Sequence, residues 1–591
     1  MRRADGSPLR MSCKLGAMGW RAPKFWRDPT WVEARDTVFA AALLLSLGIL
    51  LQRVFVSGEQ AVPMQIYWEA SYGIAFLEQI PFPLALCIGL GIAALATWIV
   101  ARPAQTGWQI LGLQSGLRWV VFGIAISFTW SYAGHGLNHY FGQAHPFERV
   151  LLLLSALMIL RSPLWLFVFM GQLLLSRAQI YHPAALSTPI TDELPLRILC
   201  ILSVFLALGF LLRGIQNFEP LRALRSKIPL RLDTVSLILA ILCLLGVYYS
   251  YAGLSKLLIG ESALDWSLNF HLENFFVAST LNGWLPFLSE SSAIAIADWI
   301  RWLSVPLAGA TLLMELSLLF IAVRLRGSVL LLLGVIVMHV GVAVLNGVFF
   351  WKWMVVESLF AGWLWVHREN SELRGLEAWP VACGSILLIV TAAAVFGQNA
   401  FTWWNSKWNV VLEVEARGAS GTVYDVDHSD FSPYLLYLFL KPYRGVEGGA
   451  YGLLDEQDRM LDFEAGDLGA IQRDAMERQK IPKGPGQLRK ERNFVDFMRR
   501  YFSNRNHRPG TDAIPFLPSS PRIRIRYPRG SPVYRDQEPI VSARARLLES
   551  YYTGDSILGL RDEVILDVRI PSVPIPAPTD RERRSRARER E

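Results

Sequence analysis

Up to about residue 400 the apolar residues of this chain come in long runs, and beyond it they come in short alternating ones. The long runs lie near 37–56, 81–101, 117–135, 148–178, 195–213, 233–258, 299–323, 327–346, 347–366 and 379–398. Most have the roughly 20 residues that a helix needs to cross a bilayer. The pattern predicts an all-α polytopic membrane bundle of nine to eleven spans, followed by an α+β domain. The division expected is a basic N-terminus at 1–36, a transmembrane domain at 37–400, an α+β domain with a β-hairpin at 401–570, and a disordered tail at 571–591.

Lysine and arginine give the orientation, because short loops held in the cytoplasm carry the excess. The stretch LRALRSKIPLR, ending at Arg231, is the strongest such signal, and Arg324, Arg326, Arg368 and Arg374 fall on the same side if each later run crosses once. The basic N-terminus joins them only if the run 148–178 is a hairpin broken at Arg161 and Pro163, or if another run is re-entrant. This predicts an odd number of spans, with the N-terminus inside and the region after residue 400 outside. The expected setting is a bacterial inner membrane.

Composition agrees with that frame and adds little chemistry. Of 591 residues, 52% are hydrophobic and 18% charged, and the mean hydropathy is +0.30. The net charge is +8, with arginines clustered in short loops and in the last dozen residues, and no nucleic-acid site is read from it. Four of the five cysteines sit inside apolar runs, and there is no CxxC and no cluster with metal spacing. Neither a disulfide framework nor a metal is predicted. The stretch Arg2 to Arg27 is too long and too aromatic for a cleavable signal peptide, so 37–56 is taken as a retained span.

Candidate chemistry starts at Lys256, near the end of the run 233–258 in VYYSYAGLSKLLIGESALDW. An ammonium near a bilayer is costly unless it snorkels, pairs or faces a polar cavity, so it is read as a functional candidate beside the alternative of an interfacial anchor. The expected topology brings the loop SYAGHGLNHYFGQAHP, with His135, Asn138, His139 and His145, to the same outer side. A neutral lysine near an imidazole or amide can act as a base, although histidines in an interfacial loop also serve as hydrogen-bonded surface groups. Glu315 and His339 lie within apolar runs and are expected to face the bundle interior.

The order Asn138-His139-Tyr140, then Tyr251-Ala252-Gly253-Leu254-Ser255-Lys256-Leu257 with Asp265-Trp266, then Met338-His339 and Gly347-Val348-Phe349-Phe350, resembles the vitamin K-dependent γ-carboxylase family. More broadly it is similar to the horizontally transferred transmembrane family, over roughly residues 30 to 440. The resemblance implies that Lys256 deprotonates reduced vitamin K or menaquinol, and that oxygen addition then yields a base strong enough to take a γ-proton from a peptidyl glutamate. Carbon dioxide adds to the carbanion, and the quinone leaves as its epoxide. It implies His139 as the tuner of the lysine, Asn138 as a further catalytic residue, and Tyr251, Trp266 and His339 as cofactor-binding residues. An enzyme of this kind would be a carbon-carbon lyase, and its macromolecular partner an exported peptide or protein. Leu137 and Ser255 depart from the family pattern, and about twice the family's number of residues separates His139 from Lys256.

After residue 400, WWNSKWNVVLEVEARGASGTVYDVD alternates on both sides of a Gly-Ala-Ser-Gly turn and predicts a hairpin. Asp425, Asp427, His428 and Asp430 at its end are read as a solvated acidic turn before a metal site. Two amphipathic helices are expected between Leu453 and Asn506, the second with the stripe Phe494, Phe497, Tyr501 and Phe502 covering a sheet. Strands are expected at 523–528 and 563–571, with IVSARARLLESYY between them. No P-loop, GxSxG or HExxH occurs.

Two functions remain. One is a quinone-dependent membrane enzyme with Lys256 as base; the other is a non-catalytic accessory or maturation factor for an exported partner. A side cavity reaching Lys256 marks the first, and a lysine closed in a pair with Glu261, Asp265 or Glu273 marks the second.

Overall fold

The computed structural model describes residues 29–79, 108, 116–134, 137–184, 190–217, 232–258, 262–281, 283–371, 373–396, 407–427, 430–431, 434, 469, 485–508 and 532–572. The run at 81–101, His135, Glu261, His428, the first amphipathic helix apart from Gly469, the strand at 523–528 and most of the tail lie outside these residues. The N-terminal half holds α1 (Pro29–Ala61), α2 (Tyr72–Gln79), α3 (Leu117–Ala133), α4 (Pro146–Ile159), α5 (Trp165–Ala184), α6 (Ile190–Asn217) and α7 (Thr234–Leu257). Next come α8 (Asp265–Asn269), α9 (Leu272–Leu281), α10 (Glu290–Ser317), α11 (Leu325–Asn346), α12 (Trp351–His367) and α13 (Trp379–Phe396). The C-terminal domain comprises β1 (Trp408–Gly418), β2 (Val423–Asp425), α14 (Pro485–His507), β3 (Ile540–Tyr552) and β4 (Ile557–Arg569).

Among the described residues, five helices are long and apolar enough to cross a membrane, within α1, α6, α7, α10 and α11. Length and composition thus mark a membrane protein. The run 148–178 is two helices, α4 and α5, broken at Leu160 to Leu164 and packed against each other. At roughly 1.5 Å per residue, α4 is too short for a 30 Å hydrocarbon layer.

The centre of the bundle is α7. Asp233 opens it with a reciprocal cap, its carboxylate accepting from the Ser236 N–H at 2.9 Å and its own N–H donating to Ser236 Oγ at 3.2 Å. From Leu237 to Leu245 every side chain is buried, because α1, α6, α10 and α13 surround the helix. A helix hydrophobic all round is one that is enclosed all round.

The C-terminal sheet is antiparallel in the order β2-β1-β3-β4. The expected hairpin is β1 and β2, closed where the Gly418 N–H donates to Thr422 O at 2.9 Å and Gly421 takes φ +90°. IVSARARLLESYY, placed between two expected strands, is itself β3, and it pairs along its length with both β1 and β4. Phe494, Phe497, Tyr501 and Phe502 of α14 are buried against Leu412, Val414, Ala416, Ala543 and Ala545. The same stripe also packs on the bundle, since Phe497 stacks with Tyr140 at 5.7 Å between ring centroids. The apolar core of the domain is therefore continuous with residues of the bundle, among them Ile66, Tyr67 and Tyr140.

Candidate functional site

Lys256 is 1% exposed. Its Nζ donates to both Glu315 oxygens, with Oε2 at 2.6 Å, and lies 4.9 Å from the centre of the Trp266 ring. Local sequence explains the meeting. Trp266 sits on the short helix α8, which Asp265 opens by accepting from the Ser262 N–H at 2.7 Å. Gly253, one turn before Lys256, lets α10 come close, because a Cβ there would meet Glu315 Cβ at 3.2 Å and Leu316 Cγ at 3.1 Å. Trp266 packs with Ala308 and Leu312, and Leu257, Phe270 and Leu316 complete an apolar wall.

The depth of this pair follows from the course of α10. Leu318 O lies near Gly246 and Glu315 near Gly253, so the two helices are antiparallel. From Glu315 back to Glu290, α10 continues roughly 38 Å past the level of Lys256. That stretch exposes Trp299, Trp302, Leu303 and Leu307. Glu315 stands two positions before the end of α10, so Lys256 is level with the last turns of α10, and most of that helix continues beyond it.

Glu315 and His339 both face the bundle interior. His339 Nε2 lies 2.8 Å from Tyr249 Oη and 3.4 Å from Glu357 Oε1, and Tyr249 Oη donates to Glu357 Oε1. Tyr249 precedes Lys256 by seven positions, about 20° apart around the helix, so both side chains leave one face of α7. Phe350 and Trp353 enclose the imidazole at 5.1 and 5.9 Å between ring centroids. Tyr251 lies roughly 140° round α7 from Lys256 and is half-buried against the main core.

Asn138 and His139 stand elsewhere. Asn138 Oδ1 accepts from Tyr434 Oη at 3.0 Å, and the His139 ring meets Tyr501 edge-on at 5.2 Å. Asn504 Nδ2 donates to His139 O at 2.6 Å, and Arg508 Nη1 to Gly142 O at 2.8 Å. Burial, with the Arg505 charge beside it, holds the His139 imidazole down at about 4. His145 is also held at about 4 by burial, its Nδ1 2.7 Å from Gln179 Nε2 and its Nε2 3.1 Å from Glu69 O. The expected site therefore separates into two places. Lys256, Trp266 and Glu315 meet inside the bundle; Asn138, His139 and His145 hold the loop that seats the C-terminal domain and make no hydrogen bond or ring contact with Lys256.

Among the described residues the carboxylate partner of Lys256 is Glu315, and neither Asp265 nor Glu273. Asp265 is engaged with Ser262, and Glu273 accepts from Ser304 Oγ at 2.9 Å and lies 3.5 Å from Arg301 Nε. Glu261 is outside the described residues. Sequence reading also missed a second buried charge cluster. Arg177 joins Glu59 and, at 2.7 Å, Asp192, which in turn binds Lys352 and accepts from Tyr132 Oη at 2.5 Å. Single charged residues near the ends of apolar runs were the available signal, and helix ends normally carry such charges as anchors. Among the described residues, no group of three or more His, Cys, Asp or Glu side chains is arranged to hold a metal ion.

No family model, no curated protein and no solved structure matches the chain.

Proposed function

We propose that the chain is an integral membrane enzyme that carries out base chemistry on a reduced quinone at Lys256. The observation that carries this reading is a fully buried lysine paired with Glu315 and lying against the Trp266 ring, between two helices apolar and long enough to cross a membrane. An ion pair inside hydrocarbon is no better for stability than an apolar pair of the same volume, so its presence favours a chemical role.

Residues around Lys256 suit an apolar ring with polar oxygens. Trp266 Nε1 and Ser267 Oγ are buried with no hydrogen-bond partner among the described residues, which leaves two donors for such oxygens. Ala308, Leu312 and Phe270 would keep water from the ring. A reduced quinone supplies a weakly acidic hydroxyl whose deprotonation opens it to oxygen. Lys256 Nζ takes that proton once it has lost its own, and Glu315 holds the resulting ammonium. In its full form the reading is that of a vitamin K-dependent γ-carboxylase, with oxygen and carbon dioxide as co-substrates and a glutamate of an exported peptide as acceptor. The N-terminus then lies inside and the C-terminal domain outside a bacterial inner membrane. His139 has no part in this reading, because its contacts are with the C-terminal domain.

One observation favours the second reading. Lys256 is closed in a two-oxygen pair with Glu315, as a purely structural ion pair would be in an accessory factor. Epoxide formation from reduced menaquinone or vitamin K by the purified protein in detergent separates the two. Turnover in wild type that is lost in Lys256→Ala supports the enzyme. Equal behaviour of the two proteins, without quinol binding, supports the accessory role.

A further inference from the structure

Besides the lysine pair, the bundle holds a titratable triad that the reading above leaves idle. Tyr249, His339 and Glu357 come from α7, α11 and α12, and each is buried. Tyr249 has one hydroxyl proton, and it is given to Glu357 Oε1. The 2.8 Å contact between Tyr249 Oη and His339 Nε2 must then use a proton from the imidazole. A neutral His339 is thereby fixed as the Nε2–H tautomer, with a bare lone pair at Nδ1. His339 Nδ1 has no hydrogen-bond partner among the described residues, and neither does Glu357 Oε2. A bare imidazole nitrogen, backed through a tyrosine by a carboxylate, is the arrangement of a proton acceptor.

Its neighbour supplies a reason. Lys256 paired with a carboxylate is an ammonium, and an ammonium is no base. Tyr249 and Lys256 leave the same face of α7 two turns apart, so the triad stands roughly 10 Å along the helix from the lysine pair. We propose that Tyr249, His339 and Glu357 form a second proton-handling centre, in which His339 Nδ1 receives the proton that Lys256 sheds before it acts. The proton leaves Lys256 Nζ for a Glu315 oxygen and passes from there over bridging water to His339 Nδ1. Lys256 ends neutral, Glu315 is again a carboxylate, and His339 is an imidazolium facing the Glu357 carboxylate through Tyr249. The total charge of the four groups is unchanged, at minus one. Tyr249 and Glu357 are positioning residues: they fix the tautomer and counter the charge.

The transfer rests on the reading of Lys256 as a base, so the test has one arm that needs no turnover. The full-length protein, labelled with 15N-histidine and reconstituted in lipid, is examined by solid-state NMR, with His339→Gln identifying the His339 signals. Wild type is expected to carry its ring proton on Nε2 alone at neutral pH, and Tyr249→Phe to give a mixture of tautomers. A ring protonated at Nδ1, or one that Tyr249→Phe leaves unchanged, overturns the proposal. In the epoxidation assay, Tyr249→Phe and the isosteric Glu357→Gln are expected to lower kcat about 10- to 100-fold with KM nearly constant. Wild-type kcat in both variants also overturns it. No turnover in wild type, together with a fixed tautomer, overturns the transfer from Lys256 and leaves only the tautomer assignment standing.

Discussion

Arg177 and Asp192, on neighbouring helices of the bundle, are joined by a 2.7 Å hydrogen bond, and neither side chain is exposed by more than 1%. Glu59 takes the other side of the guanidinium, and Lys352 the other oxygen of Asp192, so two acids and two bases balance. Phe128, Tyr132 and Trp351 present their rings to Lys352 at 5.0 to 5.5 Å. Five helices, α1, α3, α5, α6 and α12, are held to one another at this point.

Asp192→Asn is expected to destabilise the protein by about 3–5 kcal/mol, because it leaves two cations sharing one acid in a dry interior. Glu59→Gln strips one neighbour from Arg177 but leaves Asp192, and so is expected to cost less. Chemical unfolding of the purified variants in detergent measures the order. Equal stability of Asp192→Asn and wild type would mean that water reaches the cluster.

Gly253 sets the distance between α7 and α10. Alanine there gains about 1 kcal/mol of helix propensity and meets neighbours at 3.1 to 3.2 Å that must yield a few tenths of an ångström. The two effects are of similar size, so Gly253→Ala is expected to be close to neutral. Gly253→Val adds two methyls that have no space and is expected to cost about 2–3 kcal/mol, parting Lys256 from Glu315. Thermal unfolding of the two variants, with epoxidation where wild type shows it, gives the comparison.

How far the sequence reveals this arrangement depends on the interaction concerned. Asp233 and Ser236 mark the start of α7 from two residues three apart, and the Gly-Ala-Ser-Gly turn marks a hairpin in the same local way. Tyr249 and Lys256 share a helix face by their spacing alone. The Lys256 to Glu315 pair spans 59 positions, and the Asp192 to Lys352 pair 160, so no local pattern announces either. IVSARARLLESYY has too many arginines and alanines to read as a strand by propensity. It becomes one because Arg544 and Arg546 pair with Asp567 and Asp562 across the strand next to them. His139 was placed beside Lys256 by the order of motifs along the chain. In the fold that loop packs on α14, where His139 meets Tyr501 and Tyr140 stacks on Phe497.

The two loop histidines make the seat of the C-terminal domain sensitive to acid. Both fall from an ordinary 6.5 to about 4 on folding. The unfolded chain therefore binds more protons than the folded one between these limits, and stability falls as pH drops. The contribution is intact above about pH 6.5 and is lost progressively down to about pH 4, at most about 3 kcal/mol for each histidine. Limited proteolysis across this window should release the C-terminal domain more readily at the acid end. His139→Gln is expected to flatten the dependence and His139→Gln with His145→Gln to remove most of it; a double variant as acid-sensitive as wild type would place the sensitivity in other groups.

The role of the Lys256 to Glu315 pair can be weighed without knowing the substrate. Lys256→Met leaves a buried carboxylate unpaired, and Glu315→Leu leaves a buried ammonium, so each single change is expected to cost about 3–5 kcal/mol. The two together replace the pair with apolar side chains of similar length beside Leu312, Leu316 and Phe270, which already form an apolar wall. The double variant is therefore expected to recover to within about 1 kcal/mol of wild type, and a double-mutant cycle on unfolding free energies reads the coupling. Recovery means that the fold does not need these charges, and that their presence belongs to the chemistry of the site. A double variant no more stable than the worse single one would tie the pair to architecture and shift the balance toward the accessory reading.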